Sequence, residues 1–385
     1  MRYKVLFEFL LILVLTVQFL NGASLNISTL DDSKEELLQD SRYYVYNIEP
    51  RPISLKARTE QKVQSSGNTH MDIVDVRNMA NKDNGKTNLT AVTWAHAVNS
   101  QQLLNEALDS DIDMIEADIV MGKINGTGPD MPVMAHPPAK TSDISLDSFL
   151  EQIKTYNDAH TQKMKGVKLD FKSIEVFEGS LETLQQKVPL MSYPIWLNAD
   201  IIRGPVNQIT TKPVDPDRFF AGSSLFPQAV LSIGWTTRWF SSENNGSYTP
   251  QQIDDMLDAI HRNNVTATGQ PITFPVRAGI AANSLDALHN LVKSVNSTNE
   301  STLTLWSSQN DYVDVEKLRQ LIFSFGFHRV YLDVPEDLAN KLNLSSNNDD
   351  GKDGGGSMST SLMNFCLISA GIYMLSLYME NMHVM

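Results

Sequence analysis

The chain has 385 residues, 42% of them hydrophobic and 20% charged, an ordinary globular composition that allows one large domain or two average ones. Lys and Arg number 31 against 45 Asp and Glu, a formal charge of −14, which argues against a strongly basic face and against nucleic acid as a partner. The single cysteine, Cys366, excludes an intramolecular disulfide, a thiolate zinc cluster and a CxxC redox site.

The first residues read MRYKVLFEFLLILVLTVQFLNGAS. Arg2 and Lys4 precede an apolar run from Val5 to Leu20, and Gly22, Ala23 and Ser24 supply small residues for cleavage. This is the form of a secretory signal peptide over residues 1–23, with a retained signal anchor as the alternative. N-x-[ST] sequons at Asn26, Asn88, Asn125, Asn245, Asn264, Asn296, Asn299 and Asn343 fit an exported glycoprotein. Residues 24–70 are polar, with few apolar repeats, and read as an arm rather than a core.

From residue 71 to residue 344 short β-branched runs alternate with amphipathic stretches. Strands are expected near Ala91–His96, Met114–Val120, Gly166–Phe171, Ile195–Ala199, Ala229–Gly234, Ile272–Ala278, Thr302–Trp306 and Arg329–Leu332. Helices are expected at Ser100–Asp109, Leu146–Ala159, Pro250–Arg262, Ser284–Val295 and Val313–Phe325, where Ser, Asp or Thr-Pro mark several starts. Strands alternating with helices over about 270 residues predict an α/β fold, a single (β/α)8 TIM-like barrel. An open doubly wound sheet is the alternative, weakened because no glycine-rich phosphate loop follows the first strand.

Residues 345–361 form a polar, Gly-rich linker, and residues 362–385 hold a terminal apolar segment, Leu362 to Met379, followed only by ENMHVM. Small residues, a polar spacer and an apolar tail are the parts of a GPI-anchor signal. A single-pass helix is the rival, and the lack of Lys or Arg after Met379 favours the lipid anchor. Both place the bulk of the chain outside the cell, at the membrane.

The chemistry sits at strand ends. In IEADIVMG, Glu116 and Asp118 are two apart and share one face of a strand. Two carboxylates in a barrel lumen repel one another unless a cation or donors compensate, and oxygen ligands suit Mg2+ or Ca2+. The plainer alternative is a solvated strand end. KLDFK repeats the pattern: Asp170 offers a third carboxylate for the ion, and Lys172 can hold an anionic substrate group or neutralise excess carboxylate. His96 closes the first strand and His136 lies in PVMAHPP. One can accept a proton as the other gives one, while a bound ion stabilises charge on a phosphoryl oxygen. As extra metal ligands they would play a different part. Arg277, in FPVRAG, can clamp phosphate as a planar fork or form a structural ion pair. Asn198, Asp200, Trp235 and Trp306 are weaker candidates at the ends of their strands.

A His at the end of strand one, ExD on strand two, a His shortly after and DxK on strand three resemble the phospholipase C-like phosphodiesterase superfamily. The strings VTWAHAVNS, IEADIVMG, PVMAHPP, GVKLDFK and TFPVRAG resemble the menorin family in particular, over Asp72 to Leu342. The resemblance implies a barrel in which His96 and His136 form the acid–base pair, Glu116, Asp118 and Asp170 bind a divalent cation, and Lys172 contacts phosphate. Ala97 stands where glycerophosphodiesterases usually carry Arg, and Asp170 where they carry Glu; the DxK form is closer to sphingomyelinase D. The resemblance also implies a cell-surface cue in dendrite development, acting with L1-type adhesion molecules and a leucine-rich-repeat receptor. Against that binding role stands an ecto-phosphodiesterase acting on glycerophosphodiesters or lysophospholipids.

Overall fold

The computed structural model of the protein describes residues 82–83, 86–206, 211–238 and 246–344. The expected signal peptide, polar arm, linker and apolar tail lie outside the described residues, as do Asn26 and Asn245. The chain divides into two compact units, Met1–Leu342 and Asn343–Met385; the barrel belongs to the first, and Asn343 and Leu344 alone are described in the second. Among the described residues no helix is long and apolar enough to cross a membrane.

Eight strands form the wall: β1 (Trp94–Ala95), β2 (Met114–Ile124), β3 (Gly166–Phe171), β4 (Ile195–Arg203), β5 (Val230–Thr236), β6 (Ile272–Arg277), β7 (Ser301–Trp306) and β8 (Val330–Asp333). Each is followed by a helix: α1 (Gln101–Asp109), α2 (Leu146–Ala159), α3 (Ile174–Lys187), α4 (Pro216–Ser223), α5 (Pro250–Arg262), α6 (Leu285–Val295), α7 (Val315–Phe325) and α8 (Glu336–Leu342). The strands pair in parallel and in sequence order from β1 to β8. A doubly wound sheet would reverse its order at a switch point, so that alternative falls. The two ends of the sheet meet through side chains. His96 Nδ1 lies 2.8 Å from Asp333 Oδ2, and the Trp94 and Tyr331 rings stand edge to face with centroids 6.3 Å apart. The result is a nearly closed TIM-like barrel.

Local chemistry explains the elements. Ser100, Ser145, Ser173, Asp215 and Asp314 cap their helices with a side-chain oxygen, and Thr249 with Gln252 forms a reciprocal capping box ahead of Pro250. Residues of period two alternate between helix layer and lumen. At the floor Met114, Trp196 and Tyr331 pack with Leu89 and Val92, and Trp94 lies against them. Gly166 makes room for this floor, because a Cβ there would come within 2.2 Å of Met114 Sδ.

Several elements depart from expectation. β1 is shorter than Ala91–His96, since Leu89–Ala91 form a 3-10 turn and Ala97 adopts a left-handed φ of 55° that turns the chain. β2 runs past Val120 and folds back as an antiparallel arm, Thr127–Met134, around Asn125 and Gly126 with φ of 48° and 73°. Asn-Gly with both residues left-handed is the two-residue turn that matches strand twist. Helices α3, α4 and α8 lie outside the five expected stretches.

Candidate functional site

Register brings the acids together. Asp118 on β2 is level with Asp170 on β3, and Glu116 is level with Lys168. One oxygen each from Glu116, Asp118 and Asp170 lies within 4.8 Å of the other two. Hard divalent cations bind oxygens at about 2.0–2.6 Å, so ligands on opposite sides of such an ion stand about 4–5 Å apart. The all-oxygen donor set and its span therefore fit Mg2+ or Ca2+. Lys172, just past β3, turns its ammonium back to within 2.6 Å of Asp118 Oδ1 and 2.6 Å of Asp170 Oδ2.

Each acid has further support. Asn99 donates to Asp118 Oδ2 at 2.7 Å and receives the Asp118 amide at 2.9 Å, so one side chain fixes both ends of that residue. Burial alone would raise the Asp118 carboxyl, but Lys172, His136 and the hydrogen bond from Asn99 hold it well below the carboxylate range. Glu116 accepts the Ala97 amide at 2.8 Å, a contact set up by the left-handed turn at Ala97. Burial, with help from Asp118 and Asp170, pushes Glu116 up to about 7 against the pull of His96 and Lys168. On β4 burial and Asp170 push Asp200 up to about 7, opposed by Lys172, Lys168 and Arg277.

The histidines flank the trio. His96 Nδ1 is 2.8 Å from Asp333 Oδ2 and 3.6 Å from Glu116 Oε2. Burial lowers its affinity for a proton, yet the two acids outweigh burial and raise the imidazole to about 9. His136 arrives on the antiparallel arm, where the Ala135 amide donates to Asp118 carbonyl at 3.0 Å. Its Nδ1 lies 2.7 Å from the Pro137 carbonyl. A carbonyl only accepts, and an ionised carboxylate only accepts, so both rings carry hydrogen on Nδ1.

Other expected residues are placed as follows. Arg277 donates from Nε and Nη2 to both oxygens of Asp311 at 2.7 and 2.8 Å, and from Nη2 to Ser308 at 3.1 Å. Its guanidinium lies 4.9 Å from the Trp306 ring centroid. Asn198 is buried and accepts from Ser232 at 2.6 Å. Trp235 packs outside the lumen, donating to the Gln252 carbonyl at 3.1 Å. Sequon residues Asn125, Asn264, Asn296 and Asn343 are exposed and Asn88 is half-buried. Asn299 is 1% exposed and donates its amide to the Gln270 carbonyl at 2.9 Å, so a glycan there and the folded loop exclude one another.

Sequence reasoning passed over Asn99 and Asp333. The signal for Asp333 is alternation: Tyr331 and Asp333 are two apart, and both sit on the inner face of a strand that ends one residue later than expected.

Against known proteins, a family model described as the Menorin N-terminal domain matches residues 88–339. Protein FAM151B of Homo sapiens is 35% identical over 246 residues, which is 64% of this chain and 83% of that protein. Solved structures give weaker likenesses. A proposed sugar phosphate isomerase/epimerase of Anabaena variabilis has a TM-score of 0.35 and 8% identity, over 68% of this chain and 92% of that one. The D-psicose 3-epimerase of Clostridium cellulolyticum has a TM-score of 0.31 and 9% identity, over 67% of this chain and 92% of that one. The fold rests on the strand order above and not on these scores.

Proposed function

The chain belongs to the menorin family, and from the site its barrel carries we propose that it is a divalent-cation-dependent phosphodiesterase displayed outside the cell. One observation carries the reading: three oxygen ligands within 4.8 Å of one another share a barrel mouth with two histidines whose Nδ1 atoms are tied down. Glu116, Asp118 and Asp170 would hold Mg2+ or Ca2+, which when bound supplies Lewis-acid polarisation of a phosphoryl oxygen.

The chain's own groups do the rest. His136 Nε2 accepts a proton from the attacking water as the new O–P bond forms. His96, kept as a cation by Asp333 and Glu116, gives its Nε2 proton to the alkoxide that departs as the old P–O bond breaks. One ring gains the proton that the other loses, and exchange with solvent resets both. Lys172 turns its ammonium from the carboxylates to a non-bridging phosphate oxygen. Substrates of this reading are glycerophosphodiesters or lysophospholipids.

A second reading uses the barrel as a scaffold for an extracellular cue in dendrite development, recognised by L1-type adhesion molecules and a leucine-rich-repeat receptor. What favours it is that Lys172 already neutralises Asp118 and Asp170 at 2.6 Å, so the mouth can be satisfied without turnover. Exposed sequons at Asn125, Asn264 and Asn296 support an exported surface in both readings, with the C-terminal segment as a GPI anchor or a single-pass helix.

The test is turnover of a phosphodiester panel by the purified protein in Mg2+, Ca2+ or EDTA, beside His96→Ala and His136→Ala. The expected result is cation-dependent hydrolysis that falls by about 10²–10⁴-fold in each variant. A folded, cation-loaded protein that cleaves nothing, with variants that still bind their adhesion partners, selects the cue.

A further inference from the structure

The carboxylates of the mouth fall into two kinds. Glu116 receives the Ala97 amide, Asp118 and Asp170 share the Lys172 ammonium, Asp311 is gripped by Arg277, and Asp333 by His96. Asp200, half-buried on β4, has no hydrogen-bond donor among the described residues. It also stands apart from the three carboxylates whose oxygens cluster within 4.8 Å.

Backbone geometry reserves space for it. The β4–β5 register shifts between Asp200 and Ile202, a bulge of the kind that re-aims a side chain beside an active site. The residue facing Asp200 is Gly234, where a Cβ would lie 2.8 Å from Asp200 Oδ1 and 2.9 Å from Pro275 Cγ. Glycine here keeps the carboxylate in place over β5. A half-buried carboxylate that no protein donor reaches is open to a donor that a ligand brings.

We propose that Asp200 is a specificity residue that accepts a hydroxyl from the alcohol portion of the substrate, so that the site selects phosphodiesters of polyols such as glycerol. This rests on the phosphodiesterase reading of the same mouth. A quaternary ammonium head also suits a carboxylate, but it needs aromatic faces around it. Gly234 and Pro275 beside Asp200 offer no aromatic face, and the face of Trp306 is taken by the Arg277 guanidinium at 4.9 Å.

The test compares three diesters: glycerophosphoglycerol, p-nitrophenyl phosphorylcholine and bis(p-nitrophenyl) phosphate. At about pH 8.5, where the Asp200 carboxyl is ionised, the kcat/KM ratio of glycerophosphoglycerol to bis(p-nitrophenyl) phosphate should fall about 10–100-fold in Asp200→Ala, the effect of one hydrogen bond to a charged acceptor. Asp200→Asn keeps the volume and an acceptor oxygen, and should lose less. Calorimetry should show glycerophosphoglycerol binding at least about tenfold more weakly to Asp200→Ala than to the unaltered protein. An unchanged ratio in folded variants overturns the proposal while leaving the phosphodiesterase reading intact. A selective loss on the choline diester overturns the hydroxyl assignment. A wild type that neither cleaves nor binds any of the three overturns the phosphodiesterase reading, and this proposal with it.

Discussion

Asp333→Asn tests the contact that joins the first and last strands. Asp333 is 4% exposed and receives His96 Nδ1 at 2.8 Å, and the imidazole is itself mostly covered, at 23% exposed. The acids raise His96 from 6.5 to about 9, with Asp333 the larger of the two contributors. A group whose affinity for a proton rises on folding adds stability that is complete below its unfolded pKa and is lost as pH climbs through the folded one. For His96 that window runs from pH 6.5 to about 9, and its width corresponds to about 3 kcal/mol. The asparagine can still accept the Nδ1 hydrogen but carries no charge, so most of this pH-dependent portion should vanish. At pH 6 the variant should melt roughly 6–12 °C lower, given about 2–4 °C per kcal/mol for a domain of this size. Near pH 9.5 the two curves should converge, because the unaltered protein then holds a buried Asp333 against a neutral imidazole. The assay is thermal unfolding in EDTA at half-unit steps of pH. Parallel curves for the two proteins across pH 6.5–9 refute the pairing as the source of the His96 shift.

The remaining expectations concern neighbouring parts of the barrel. Glu116 is raised from 4.5 to about 7, so in EDTA stability should decline as pH rises through that interval; Glu116→Gln should flatten this decline, and saturating Mg2+ or Ca2+ should offset it in the unaltered protein. A cation at a hundred times its dissociation constant adds about 2.7 kcal/mol, readable as a rise in melting temperature that Glu116→Gln weakens. Gly122→Ala places a Cβ 2.3 Å from the Lys140 carbonyl oxygen, and should cost about 1–3 kcal/mol with faster amide exchange along the arm. Arg277→Met strands Asp311, 2% exposed, without its counter-charge; a loss of about 3–5 kcal/mol in denaturant unfolding is expected. Glycopeptide mass spectrometry should find glycans at Asn125, Asn264 and Asn296 but none at Asn299, and occupancy of Asn299 in folded protein would contradict its burial.

What the sequence makes legible here is what depends on short periods. Glu116 and Asp118, or Lys168 and Asp170, share a face because strand side chains alternate, and that alternation survives in any register. The strand-helix alternation carries the barrel for the same reason. The acid that orients His96 is a different matter. Asp333 is 237 positions away, and the two become neighbours only when the sheet curls round on itself. No local pattern encodes that closure. The arm was within reach: Asn125-Gly126 between apolar runs is a two-residue hairpin signal, but the same asparagine also heads a sequon, and the sequon pattern obscures the turn. The burial of Asn299 is hidden for the opposite reason, since a sequon is a three-residue pattern while burial is tertiary.

The acids of the mouth also explain why pH and cations should act on one device. Lys172 answers Asp118 and Asp170 at 2.6 Å each, Arg277 answers Asp311, and Asp333 is shared between His96 at 2.8 Å and Lys168 at 3.9 Å. Among the described residues Glu116 has a backbone amide at 2.8 Å and the more distant His96 at 3.6 Å. Its charge is therefore the least compensated of the trio, which is why burial drives it towards protonation. Two things can supply the missing positive charge: a proton on His96 or Glu116 itself, or a divalent cation among the trio. They compete for the same negative field, so cation binding should release protons and strengthen as pH rises from 6 to 8. A cation affinity independent of pH over that range would place the ion elsewhere than at Glu116.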